Sequence, residues 1–201
     1  MGVSEAAFAN TVREAGGHST GAAVRAVHAE LLARWSETQR HYHTVDHLTA
    51  MLPLVDDPIV ALAVWGHDAV YDPRATGDTN EERSAQLITG LLQRCAVPAA
   101  TVAEIARLVR LTAAHAVDPT DDRGVALADA DLAILATDPT IYDRYVTQVR
   151  AEYSHVPDDL WRAGRGAVLQ RLLALPQLFH HHPAWESPAR ANLTRELTAL
   201  R

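Results

Sequence analysis

Four side chains carry the chemistry most visible in this sequence: His43, the adjacent His67 and Asp68, and a late aspartate in LADADLAIL, either Asp129 or Asp131. Imidazole nitrogens and carboxylate oxygens gathered from distant segments are a ligand set for a divalent cation that activates water. An HD pair alone is weak, since eleven histidines in 201 residues produce such neighbours by chance. Placement adds weight. His67 and Asp68 end the run IVALAVWGHD, which is apolar for eight residues after Pro58 and is expected to be buried. Ionisable groups at the end of a buried segment need a partner, because an isolated buried charge is expensive. A metal ion supplies one.

The elements that position these groups read as helices. Apolar residues recur at helical spacing throughout, and no two alternating runs are joined by a hairpin turn, so an all-α fold is expected. The first helices are predicted over Glu5 to Ala15 and Thr20 to Glu37, the second with an apolar face through Val24, Val27, Leu31 and Trp35. A third is predicted from near His43 to just before Pro53, and a fourth from Pro58 to about His67. The loop YDPRATGDTN then leads to a helix through Glu81 to Gln93. Beyond Pro98, TVAEIARLVRLTAAH reads as an amphipathic helix, and VALADADLAIL comes after the polar stretch DPTDDRG. Longer helices are predicted near Pro139 to Tyr153 and Pro157 to Leu175. A mobile surface loop with His180, His181 and His182 leads to a last helix, with Ser187 as its cap and Pro188 in its first turn. No internal repeat or low-complexity linker divides residues 1 to 201, so one domain is expected, with C-terminal helices over about 139 to 200 packed on a motif core over about 40 to 135.

Helical faces then sort the candidates. His43 and His47, four residues apart, would share a stripe with Met51 and Leu54, one as ligand and the other as helper. Their segment, HTVDH, lacks the HExxH of helical zinc peptidases. Asp131 has Leu127, Ile134 and Leu135 on its face, whereas Asp129 has Val125, Leu132 and Ala133. Asp131 is therefore the better ligand, with Asp129 orienting a ligand histidine. His115 falls on the buried face if its helix continues that far, either as a core histidine or in contact with a second metal or a substrate phosphate. Arg165 shares an apolar stripe with Trp161, Val168, Leu169 and Leu172, so its guanidinium needs a carboxylate, such as Glu152, or a bound anion. Glu81 and Glu82, fourteen and fifteen residues after His67, offer a carboxylate for acid or base work, although helix starts also favour acidic residues.

Composition bounds the rest. The single cysteine, Cys95, excludes an internal disulfide, and the N-terminus lacks the pattern of a signal peptide, so a cytoplasmic protein with no membrane association is expected. A formal net charge of -7 without a broad basic run argues against general nucleic-acid binding. Lysine is absent and every basic side chain is arginine, which accords with a composition that also favours alanine.

The segments RHYHTVDHL, WGHDAVYD, TNEERSA, LTAAH, LADADLAIL, VRAEY, AGRGAVL and ARANLTREL, spanning Arg40 to Leu197, together resemble the HD superfamily of metal-dependent phosphohydrolases, in its compact bacterial branch. The resemblance implies an all-helical HD bundle with His43, His67, Asp68 and Asp131 as metal ligands. The 24 residues from His43 to His67 are similar to the spacing in hydrolases of guanosine tetraphosphate. Those enzymes carry an acidic pair soon after the HD, where this chain has Asp72 and later Glu81 and Glu82, so that substrate does not carry over. Two-metal members have two further histidines before the last aspartate; here only His115 is suitably placed, which favours one divalent ion, whether manganese, iron, cobalt, nickel, zinc or magnesium.

The resulting expectation is hydrolysis of a phosphate ester or anhydride in a nucleotide or similar small metabolite. Asp68, Glu81 and His115 are the catalytic candidates. Arg40, His47, Arg150 and Arg165 are the substrate-binding candidates, and a homodimer is compatible with the sequence. The alternatives are a nucleotide-binding sensory module without turnover and, less favoured, a two-iron oxygenase.

Overall fold

The computed structural model describes residues 2–77 and 79–200. Helices account for 69% of the chain, and no strand occurs among the described residues. In chain order they are α1 (Glu5–Glu14), α2 (Gly21–Trp35), α3 (Val45–Met51), α4 (Pro58–Gly66), α5 (Thr79–Arg94), α6 (Ala99–Leu111), α7 (Asp122–Leu132), α8 (Pro139–Glu152), α9 (Asp158–Ala174) and α10 (Glu186–Ala199). Short 3-10 turns continue α3 and α7 and precede α10. Side-chain caps set most of the starts: Ser4, Thr20, Thr44, Asp57, Asp121 and Asp138 each accept a backbone N–H of the first turn. Pro58 and Pro139 occupy first-turn positions, where a missing N–H costs nothing.

The all-α expectation holds, and α4 explains the arrangement. Its residues Val60 to Gly66 are all buried, so it is apolar around its circumference and must sit among other helices. It packs against α1, α5, α6 and α7. Trp65 meets the edges of Phe8 and His28, and the Trp35 indole N–H donates to the Trp65 carbonyl at 3.0 Å. The chain therefore leaves α4 inside the molecule, and His67 and Asp68 are the residues it places there. A second apolar cluster, built on Tyr142, Leu169, Phe179 and Leu193, joins α8, α9 and α10 to the turn after α7. Within it the Arg165 guanidinium pairs with Glu196, which also accepts the Tyr142 hydroxyl.

Three local expectations are corrected. The third helix begins at Val45 because Thr44 caps it, which leaves His43 in the preceding turn and off any stripe shared with His47. The last helix is entered through a 3-10 turn over Pro183–Trp185, with Trp185 rather than Ser187 at its N-cap position. The triple histidine is held rather than loose: the N–H groups of His180, His181 and His182 donate to the Asp129 carboxylate at 3.1, 2.8 and 3.2 Å. No helix among the described residues is long and apolar enough to cross a membrane.

Gly66 lets α4 pack closely on α5, since a Cβ there would lie 2.9 Å from Ile88 Cγ1. Overpacking of this kind costs about 1–3 kcal/mol, against at most ~1 kcal/mol gained in helix propensity. Gly66→Ala is therefore expected to lower the urea midpoint of unfolding; an unchanged or raised midpoint would contradict the packing described.

Candidate metal centre

The end of α4 fixes His67 from behind. Its Nδ1 lies 2.8 Å from the Val64 carbonyl, which only accepts, so Nδ1 carries the hydrogen and Nε2 points forward. That Nε2 is buried without a hydrogen-bond partner, although Asp68 Oδ2 is 3.2 Å away and Asp131 Oδ1 3.6 Å away. A lone pair set against two carboxylates repels them unless a positive charge intervenes. Burial pushes the His67 pKa down, but the Asp68 and Asp131 carboxylates outweigh it and raise the value to about 9. The cluster thus draws a cation, either a proton or a metal.

Asp131, on α7, faces this cluster. Its Oδ1 is 3.1 Å from His47 Nε2 and its Oδ2 is 2.7 Å from His115 Nε2. Burial raises the Asp131 pKa, yet His67, His115 and His47 hold it well below the usual carboxylate range. Asp68 is likewise depressed, burial being outweighed by His67 and His43. His115 reaches Asp131 although α6 ends at Leu111; a left-handed backbone conformation, φ +52°, turns the chain back instead of a continued helix. Asp129 looks away, towards the His180 to His182 turn, and orients no ligand histidine among the described residues.

Donor atoms of His47, His67 and Asp68 all lie within 4.8 Å of one another. His47 is therefore as well placed to hold a metal as to touch a substrate. Its ring is 5.4 Å from that of His67 and 5.9 Å from that of His43. His43 presents Nε2 to Asp68 Oδ2 at 3.9 Å and its other ring nitrogen to Glu152 at 2.7 Å. The donor set fits a divalent ion: mixed imidazole and carboxylate, largely buried, with one nitrogen lone pair otherwise unsatisfied.

Glu152, at the end of α8, serves the centre in a way that was not evident in the sequence. Its Oε1 accepts the N–H groups of His41, Tyr42 and His43 at 2.8, 2.8 and 3.0 Å. Its Oε2 accepts His43 Nδ1–H and, at 2.9 Å, the Tyr71 hydroxyl. Such a carboxylate fixes the tautomer of a ligand histidine and aims its free nitrogen. Burial raises the Glu152 pKa, but the His43 side chain and the backbone donors bring it down to about 2. The signal that could have found it is a glutamate three residues after the buried Val149, on the inner face of α8.

The arginines depart from the anion contacts expected of them. Arg40 is buried between Trp35 and Tyr71 and donates to the carbonyls of His43, Asp68 and Ala69 at 3.1, 2.8 and 3.4 Å, and to Glu37. It ties together the two segments that carry His43 and Asp68 instead of facing the cavity. Arg150 reaches the carbonyls of Tyr153 and Val156 and the Asp158 carboxylate, in the turn to α9. Arg165 does line the cavity, with Glu196 rather than Glu152 as its carboxylate. Arg171, not singled out from sequence, lines it too. Glu81 sits half-buried on the same wall, whereas Glu82 pairs with Arg110 at the surface. The cavity, about 560 Å³, also takes in His43, His67, Asp68, His115 and Asp131.

No family model, curated protein or solved structure matches this chain.

Glu152→Gln replaces the oxygen facing His43 with an amide N–H₂, which forces the ring to give up its Nδ1 hydrogen and carry it on Nε2. Divalent-metal affinity is expected to fall about 10- to 100-fold, read by titration of cobalt into the metal-free protein. Equal affinity would show that Glu152 does not aim His43.

Proposed function

We propose that this protein is a metal-dependent phosphohydrolase of the HD kind, acting on a phosphate ester or anhydride of a nucleotide or similar small metabolite. The observation that carries the reading is the buried His67 Nε2, set against the carboxylates of Asp68 and Asp131 with His47 at the same point. The resemblance of the motif set from Arg40 to Leu197 to HD phosphohydrolases supports the same reading.

His67, Asp68 and Asp131 would hold one divalent ion, with His43 and His47 completing the donor set. When bound, such an ion brings the pKa of water towards ~7 and polarises a phosphoryl oxygen. The chain's own groups supply the rest. His115, hydrogen-bonded through Nε2 to Asp131 at the cavity edge, would position that carboxylate for the ion. Glu81 provides a carboxylate on the cavity wall to orient the attacking water. Arg165 and Arg171 line the same space; with Arg165 already paired to Glu196, Arg171 is the guanidinium that would meet the non-bridging oxygens of a phosphoryl group. Within the cavity Tyr153 and Trp161 lie 5.5 Å apart, a surface suited to a planar base.

Turnover of a panel of nucleotides is expected with added manganese, cobalt or nickel, to vanish with a chelator, and to return when the metal is restored. Asp68→Ala should lose both turnover and bound metal while keeping its helical circular dichroism. Nucleotide binding without hydrolysis under every metal would replace this reading with that of a sensory module, and Asp68→Ala turnover equal to wild type would overturn it.

A further inference from the structure

A second cavity, about 450 Å³, lies beside the one at the metal centre and is separated from it by Tyr42, Asp131 and Ile134, which line both. Its inner wall is apolar: Met51 and Ala130 are buried, and Ala133, Ala136 and Trp185 continue it half-buried. Its mouth follows one face of α3, where Asp46 and Ala50 are a turn apart and both exposed, and includes the exposed Gln148 of α8. Charge decides what such a space takes. No arginine lines it, and Asp131 is already engaged by His47 and His115. The carboxylate left open is that of Asp46, whose side chain has no ion pair or hydrogen bond among the described residues. An anion is unfavourable beside it, and a bare metal ion would leave the apolar wall without a partner. A positive charge carried on an apolar body suits both ends, and the rings of Tyr42 and Trp185 add attraction for it. His182 stacks on Trp185 at 4.0 Å and holds that indole in place. The volume lies within the usual range for small-molecule sites, about 300–1,000 Å³.

We infer that the second cavity is a separate binding site for a small organic monocation, with its ammonium group at Asp46 and its apolar body against Met51, Ala136 and Trp185. Its occupation requires neither a bound metal nor turnover, so the site stands apart from the hydrolase reading above.

The test is calorimetric titration with 4-(hydroxymethyl)phenyltrimethylammonium and with 4-tert-butylbenzyl alcohol, which share one shape and differ by a single positive charge. The quaternary nitrogen has no lone pair with which to ligate a metal. Wild type is expected to bind the ammonium at least about fivefold more tightly than the neutral alcohol. Asp46→Asn should cut that preference at least about twofold and leave the affinity for the alcohol unchanged. Ala50→Phe and Ala136→Phe, each checked by thermal melting, place a larger side chain in the cavity and should weaken both ligands. Equal affinities for the two ligands in wild type, no binding of either, or a preference unchanged in Asp46→Asn would overturn the inference. Ammonium binding undiminished in both filled variants would assign the cation to the carboxylates of the metal centre and overturn it equally.

Discussion

The Glu152 carboxylate is the contact on which the arrangement of the centre depends. It closes on three consecutive backbone N–H groups, a histidine nitrogen and a tyrosine hydroxyl, so nearly all its acceptor capacity is engaged. The partners come from two segments more than 80 residues away in sequence. The turn over His41 to His43 is not helical and has few backbone partners of its own. Without an acceptor for its N–H groups it would have no reason to hold one shape. Fixing that turn aims His43, and fixing Tyr71 closes the cavity wall beside it, since the Tyr71 and His43 rings stack at 4.2 Å.

Arg40 performs the complementary task from the other side. Where Glu152 collects N–H donors, Arg40 collects carbonyls, from His43 on one segment and from Asp68 and Ala69 on another. The two charged groups therefore brace the same turn through opposite halves of the backbone. A forked guanidinium is suited to this, because its several planar donors reach carbonyls from different parts of the chain at once. The result is a frame in which the N–H groups of His41 to His43 and the carbonyls of His43, Asp68 and Ala69 are hydrogen-bonded to side chains. His67 Nε2, inside that frame, stands out by contrast. A buried polar atom without a partner needs an explanation, and a bound ion is one of the explanations open to it.

Much of this was legible in the sequence. The all-round apolar run of α4 required burial, and burial of His67 and Asp68 came with it. Asp131 does face His47, His67 and His115, but not because its face is the more buried: Asp129 is the more deeply buried of the two and is taken up by the N–H groups of His180 to His182. The hidden parts have a common cause. His43 was assigned to a helix because the spacing to His47 is helical, but Thr44 is a stronger start signal than periodicity over so short a segment. The partners of Glu152, Arg165 and Asp129 lie 81 to 111, 31 and 51 to 53 residues away in sequence. A single sequence records that a buried charge needs a partner without recording which.

The arginines show the limit most clearly. In a chain without lysine, every cation that stabilises the fold must also be an arginine, so residue type no longer separates structural cations from those that meet a substrate. Arg40, Arg150 and Arg165 all satisfy the same sequence criterion, membership of a motif near the centre. Their donors resolve them: carbonyls and Glu37 for Arg40, a helix-end turn for Arg150, and a buried carboxylate for Arg165. A guanidinium already neutralised by Glu196 presents less field to an approaching anion than one without such a pair. Arg165 is therefore better suited to shaping the cavity wall, and in the function proposed above the attraction of a phosphate would fall more heavily on Arg171 and on a cation held by His67, Asp68 and Asp131.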